Sequence, residues 1–522
     1  MKTYQFLWRL ICYRPWLYIV DAICTVLFFL SRIPFGYVIQ AFFNTLPKSR
    51  QLGPDVWTLI ALMIAVAVAR FFVIRGQGWA RQLYLFSIRA LLRRNLLAHI
   101  LARPGARALP GSVGEALNRF RDDITNIEQV LVLLLGVAGL LLFSIIAFFT
   151  LLSINIQITL LVFVPLGCVI AIAQRMRPRL ERYRVASRKA TGRVSSAIGE
   201  IFRAVQAIQV AGAEPSVVAH FHQLNERRRV LMLKDTVLTD TLQSVMGNTV
   251  GLGIGFILIL AALNLKAFHL GIGDLALFIY YLGFVASFTQ AFGMLLAQYT
   301  QTRVSVERMV ALLQDAPIQA LVTHHPLYLS GDIPEITATT RTDVHKLEML
   351  ETSDLTYRYP ESGRGIDGIN LHVRRGSLTV ITGRVASGKT TLLRVLLGLL
   401  PKEKGEICWN GQIIDEPASF FIPPYSAYTP QVPQLFSETL KENIALGWSE
   451  RDADLPSAIH LAVMERDIAG FADGLQTLIG TRGVKLSGGQ VQRTAAARML
   501  VRNAELLVFD DLSSALDVET EQ

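Results

Sequence analysis

Six apolar segments, each close to the roughly 20 residues that an α-helix needs to cross a bilayer, constrain this chain more than any other feature. They lie near 16–40, 55–75, 129–151, 155–174, 244–265 and 274–298. With 52% apolar residues and a mean hydropathy of +0.39, the 522-residue chain reads as partly membrane-embedded and long enough for two or three domains. Short connections (41–54, 152–154, 266–273) alternate with long polar ones (76–128, 175–243). Lys and Arg number 8 in residues 76–127 and 12 in 176–242, whereas the short connections hold only Lys48, Arg50 and Lys266. The positive-inside rule therefore puts the N-terminus and both long loops in the cytoplasm. The net charge of +10 then reads as loop charge beside an anionic leaflet, not as a nucleic-acid footprint.

Both long loops keep helical periodicity, through Leu91, Leu92, Leu96 and Ile100 in one and Ile198, Ile201, Val205 and Ile208 in the other. The membrane helices are expected to continue into the cytoplasm and to turn near Pro104, Pro110 and Gly111, and near Gly212 and Pro215. Residues 1–15, with Lys2, Trp8, Arg9 and Arg14, read as a short amphipathic helix on the membrane surface. No cleavable signal peptide is evident. The four cysteines, Cys12, Cys24, Cys168 and Cys408, have neither metal-ligand nor disulfide-framework spacing. A polar linker, about 313–346, contains His324-His325 with no partner ligands nearby in sequence and reads as solvated.

From 347 the texture becomes alternating strands and helices, the mark of an α/β domain. An apolar run, Ser377 to Thr382, is expected to be a strand leading into Gly383-Arg384-Val385-Ala386-Ser387-Gly388-Lys389-Thr390, and a helix-forming run from Thr391 leads out. Strand, glycine loop and helix form the context of a P-loop: a nest of N–H groups and a helix N-terminus face phosphates. Lys389 would neutralise the β- and γ-phosphates and the Thr390 hydroxyl would sit on Mg²⁺. Four elements follow in order: Gln431 after Ala427 to Pro430; Leu486-Ser487-Gly488-Gly489-Gln490, with Ser487 as N-cap and Gln490 at the capping-box position; the apolar run Leu506 to Asp510, in Walker B form; and Ser513 to Asp517. Upstream, Tyr359 precedes Pro360.

This order, behind six spans and two long cytoplasmic loops, resembles an ATP-binding cassette (ABC) exporter half-transporter over essentially the whole chain. The resemblance implies a multidomain membrane protein: an all-α six-helix transmembrane domain (1–312), a linker (313–346), and an α/β P-loop, RecA-like nucleotide-binding domain (347–522). It implies ATP and Mg²⁺ as ligands, residence in the cell inner (plasma) membrane among its lipids, and no nucleic-acid partner. Tyr359, or less fittingly Tyr357, resembles the aromatic that stacks on adenine. Gly383, Ser387, Gly388, Lys389, Thr390 and Thr391 would bind phosphates, and Thr390, Gln431 and Asp510 would serve Mg²⁺. Ser487, Gly488, Gly489 and Gln490 would bind nucleotide held by a second cassette, with Asp517 across the dimer seam. Bends near 107–118 and 211–218 resemble coupling helices.

Two departures qualify the resemblance. The family places Glu after the Walker B aspartate, acting on the attacking water, and here the residue is Asp511. Its side chain is about 1.5 Å shorter, and a misplacement of about 1 Å can cost on the order of 10²-fold in rate. The chain's own site is thus expected to bind ATP and turn it over slowly, while its intact signature completes a partner's site. A heterodimer with a second half-transporter is expected over a homodimer. Second, family cassettes continue past the position of Gln522 into further core strands and a switch histidine, so the cassette is expected to be C-terminally incomplete. The competing readings are a non-hydrolytic regulatory or structural subunit and a truncated, inactive fragment. Within the spans, Asp21 and Arg32 lie on nearly one face but about 16 Å apart, beyond direct pairing. Arg32 attracts an anionic group or simply packs. Gly247, Gly251 and Gly255 read as helix packing, and Gln290 and Gln298 as candidate cavity lining. The transported substrate stays open.

Overall fold

The computed structural model describes residues 1–45, 54–103, 113–264, 271–314, 316–329, 331, 341–448, 454–480 and 484–511. Two compact units emerge, one of residues 1–95 and 113–325, the other of 96–112 and 326–522.

The first unit is helical. Helix α1 (Thr3–Tyr13), with Phe6, Leu7 and Leu10 buried, precedes α2 (Pro15–Leu30) and α3 (Arg32–Thr45), followed by α4 (Pro54–Leu101), α5 (Val113–Asn118), a π-turn at Arg119–Asp123 and α6 (Ile124–Ile154). Then come α7 (Ile156–Arg203), α8 (Val205–Val210), α9 (Glu214–Asn264) and α10 (Ile272–Leu313). Among the described residues, four stretches are long and apolar enough to cross a membrane by length and composition: Pro15–Thr45, Val56–Leu101, Gly114–Ile154 and Ile272–Leu313. Helices α7 and α9 run through the other two apolar segments. The extension of membrane helices far beyond a bilayer's thickness is visible in α4 and α7, at 48 residues each, or about 72 Å.

The first apolar segment is not one unbroken helix. Pro34 has no N–H to offer the carbonyl of Leu30, and the helix interrupts at Ser31, whose hydroxyl turns back to the Phe28 carbonyl at 2.8 Å. The second predicted bend appears where Gly212 takes φ +59° and Pro215 sits in the first turn of α9; the first, at 104–112, lies outside the described residues. Helix α6 packs on α2 and α10 around Leu140, Phe143, Ala147, Leu277 and Tyr281. Gly36 lets α3 approach α10, since a Cβ there would meet the Tyr281 ring at 2.4 Å. By contrast, a Cβ at Gly251 or Gly255 meets nothing within 4 Å among the described residues. Gln298 donates to the Asn126 carbonyl at 3.1 Å and so ties α10 to α6 rather than facing a cavity.

The start of the linker is less solvated than its composition suggested. Leu321 and Val322 are buried, and Asn95 donates to the carbonyls of Leu321 and Thr323, both at 2.9 Å. His324 lies with Nε2 3.1 Å from the Arg9 carbonyl and its ring edge-on to Tyr13.

The second unit is α/β. Strands β1 (Met349–Arg358) and β2 (Gly365–Arg374), helix α11 (Lys389–Leu396), and β3 (Lys404–Trp409) and β4 (Gln412–Ile413) come first. Helix α12 (Pro417–Phe420), β5 (Ser426–Thr429), α13 (Leu440–Ala445), α14 (Leu455–Leu461), α15 (Glu465–Ala469), α16 (Gly488–Leu500) and β6 (Leu506–Phe509) follow. An antiparallel sheet runs in order β2-β1-β3-β4, and β5 and β6 pair in parallel. Leu350, Leu355, Val395, Leu396, Ile407 and Trp409 form the core between the antiparallel sheet and α11. Helices α13, α14 and α16 make a separate helical cluster around Leu440, Ile444, Ile459 and Ala497.

The expected strand at Ser377–Thr382 is not formed. No described strand pairs with this run, and Leu378 and Val380 are 91% and 71% exposed. An extended run without a hydrogen-bonded neighbour has no ladder, whatever its β propensity.

Candidate nucleotide site

The site gathers at one end of the β5–β6 pair. Gly388 caps α11 in the left-handed region at φ +97°, where a side chain would be strained and a Cβ would press on Ile366 at 3.0 Å. The loop thus ends with backbone N–H groups at the N-terminus of α11. Lys389 Nζ donates to the carbonyls of Gly383 at 3.0 Å and Arg384 at 3.2 Å, which holds its ammonium within the loop. Gly383 lies against Ser387, whose Oγ would be 2.8 Å from an added Cβ.

Parallel pairing of β5 with β6 sets Thr429 beside Phe509 and lets the Asp510 N–H reach the Thr429 carbonyl at 3.0 Å. Asp510, 6% exposed, therefore emerges from the strand end toward α11. There Thr390 Oγ1 donates to its Oδ1 at 2.9 Å. Asp511 follows at φ +58°, and Gln431 Nε2 donates to its Oδ2 at 3.0 Å. Thr390, Gln431, Asp510 and Asp511 all line one cavity of about 1150 Å³, with Tyr359, Gly388, Lys389 and Thr391. Of the three residues expected to serve Mg²⁺, Thr390 and Asp510 are thus brought into contact from positions 120 residues apart, while Gln431 donates to Asp511.

Tyr359 is the better placed of the two candidate aromatics. Its hydroxyl lies 3.5 Å from Thr391 Oγ1 and it lines the cavity, whereas Tyr357 is buried in the core. Ser487 caps α16 in a reciprocal box: Gln490 N–H donates to Ser487 Oγ at 3.3 Å, and Ser487 N–H to Gln490 Oε1 at 2.9 Å. Residues Ser487–Gln490 do not line the cavity. Asp517 lies outside the described residues.

Sequence reasoning missed two side chains. Tyr428 donates to Asp510 Oδ2 at 3.2 Å, so both oxygens of that carboxylate are held by hydroxyls. Burial, with the Asp510 charge adding to it, pushes the Tyr428 hydroxyl above its ordinary value and keeps it a donor. Its position in the strand three residues before Gln431 was the only signal. Asp467 accepts from Arg493 at 2.8 Å and from Gln490 Nε2 at 3.2 Å, anchoring the first two turns of α16 from α15.

The residues fit MgATP. Hard oxygen donors, Thr390 and Asp510, suit Mg²⁺, and a lysine beside a helix N-terminus suits polyphosphate.

The family model for the ABC transporter transmembrane region matches residues 17–289, and the ABC transporter model matches residues 366–514. The chain is 26% identical over 470 residues to the probable multidrug resistance ABC transporter ATP-binding/permease protein YheI of Bacillus subtilis (strain 168), covering 88% of this chain and 76% of that one. It is 25% identical over 485 residues to the ATP-dependent lipid A-core flippase of Cupriavidus metallidurans, covering 90% and 77%. A solved bacterial Atm1-family ABC exporter with ATP bound shares the fold at a TM-score of 0.71 and 22% identity, over 97% of this chain and 87% of that one. Matched across both its membrane helices and its cassette, this chain belongs to the ABC transporter family, as a half-transporter that fuses a membrane-embedded helical domain to an ATP-binding cassette and couples ATPase activity to transport.

Proposed function

We propose that this chain works as one half of an ATP-driven exporter whose own catalytic position is weakened. The observation that carries the reading is the meeting of Thr390, Asp510, Asp511 and Gln431 on one cavity beside the P-loop. MgATP, when bound, supplies the free energy of hydrolysis and the cation that offsets phosphate charge. Lys389 and the backbone N–H groups before α11 bind phosphate, Tyr359 takes the adenine, and Thr390 with Asp510 holds Mg²⁺. Gln431 keeps Asp511 oriented toward the attacking water. Asp511, one methylene short of Glu, orients that water poorly. The exposed, well-capped signature Ser487–Gln490 serves the site of a second half-transporter, with Asp517 at the seam, in a head-to-tail dimer. The weakened position beside an intact signature favours a heterodimer.

The membrane half, about residues 1–312, carries six spans in the inner membrane, with the N-terminus and the cassette (347–522) cytoplasmic behind the linker 313–346. The distribution of Lys and Arg supports that orientation, and α7 and α9 supply the fourth and fifth spans. Purified chain, alone and with a candidate partner half, tests the reading by ATP turnover. MgATP binding with slow turnover alone, and faster turnover with the partner, is expected. Brisk turnover by the chain alone would overturn the weakened-site assignment.

A further inference from the structure

We propose that Arg32 and Arg70 form a binding site for the anionic head of an amphipathic molecule within the membrane half, with Phe28, Phe29 and Phe284 as its apolar wall. This deepens the transport reading, on which it rests, by naming a ligand class.

The guanidinium carbon of Arg32 lies 3.9 Å from the ring centre of Phe284, 4.8 Å from Phe29 and 5.1 Å from Phe28. That of Arg70, on α4, lies 5.2 Å from the same Phe28 ring. Two cations therefore share one aromatic wall. Arg32 follows the break at Ser31, about 20 Å or more along the helix from either end of the Pro15–Thr45 stretch. Arg70 lies about 24 Å beyond Pro54. Arg32 lies about 12 Å from the nearer end of the first apolar segment, too far for its side chain to snorkel to water, whereas Arg70 lies about 8 Å from the end of the second at 75. The Nε of Arg32 is buried and without a hydrogen-bond partner, and among the described residues no carboxylate pairs with either guanidinium.

Elsewhere the unit does pair its buried charges. Asp21, 2% exposed, accepts from Arg81 at 3.0 Å, and Glu128 from Arg89 at 2.7 Å. Arg32 and Arg70, both half-buried, have no such carboxylate among the described residues. Aromatic faces offset part of the desolvation of a guanidinium but leave its N–H donors unmet. A phosphate or carboxylate accepts from the planar fork of an arginine in two parallel bonds, so an anion satisfies what the rings cannot. Three phenylalanines beside it favour an anion that carries a hydrocarbon part, and disfavour a fully hydrated ion.

The test uses the full-length chain in phosphatidylcholine nanodiscs and native mass spectrometry. Dilauroyl phosphatidic acid, dilauroyl phosphatidylcholine and inorganic phosphate are added separately, and MgATP affinity is measured on the same samples. Retention of phosphatidic acid at least tenfold above phosphatidylcholine is expected, with at least a fivefold loss in Arg32→Gln and in Arg70→Gln and partial recovery in Arg32→Lys. Retention of phosphatidic acid without inorganic phosphate identifies a lipid-like anion; retention of inorganic phosphate alone identifies a free anion and overturns the apolar part of the site. Equal retention by wild type and by the Arg32→Gln/Arg70→Gln double variant overturns the proposal. Should Arg32→Gln not fold, Arg70→Gln and Phe284→Leu decide it by the same comparison. Absence of MgATP binding in the wild type counts against the transport reading and leaves the anion site to stand or fall by itself.

Discussion

Asp511 carries two constraints at once, a carboxylate held by Gln431 and a backbone at φ +58°. Asp tolerates the left-handed region better than Glu, so lengthening the side chain here trades backbone ease for reach. We expect Asp511→Glu to raise turnover on the order of 10-fold or more, read by phosphate release, with MgATP affinity little changed. An unchanged rate would place the defect elsewhere. Tyr428 offers a second test at this scale. Its hydroxyl fixes one Asp510 oxygen, so Tyr428→Phe should weaken the Mg²⁺ dependence of ATP binding several-fold. Binding measured in excess EDTA should hardly change. Equal losses with and without Mg²⁺ would show a merely structural role. The motif residues were legible because each belongs to a short pattern with a fixed backbone consequence. Tyr428 and Asp467 were not legible, because a side chain that supports another from a separate element leaves no local pattern.

Elements were legible where local chemistry decides them. The capping box at Ser487 needs only Ser and Gln three apart, and both reciprocal bonds form. Ser487→Ala should cost about 1 kcal/mol of cassette stability, measured by denaturant unfolding. Asp467→Asn removes the charge that anchors Gln490 and Arg493. It should lower the turnover of a partnered complex while leaving the MgATP affinity of this chain's own cavity intact; loss of that affinity would show a wider disruption of the cassette. Ser377–Thr382 shows the limit of local reading, since its apolar alternation is strand-like but a strand exists only through its neighbours. The break at Ser31 was written in Pro34, three residues on, yet hydropathy alone averages across it. The partner of Asp21, Arg81, sits 60 residues away on α4 and could not be read from helical spacing.

At the scale of the molecule, the apolar segments and the change of texture at 347 led the sequence reading to a membrane half and an α/β half, and the structure falls into two compact units of other bounds, 1–95 with 113–325 and 96–112 with 326–522. Phe71 and Phe72, both largely exposed on α4, suit a lipid environment and not water. In the proposed function, coupling between the units depends on nucleotide, which the loop closed by Lys389 would bind. The most direct measurement is therefore MgATP affinity of the detergent-purified full-length chain, wild type against Lys389→Ala, by equilibrium binding of a fluorescent ATP analogue. At least a tenfold loss in the variant is expected, and equal affinity in the two proteins would contradict the account.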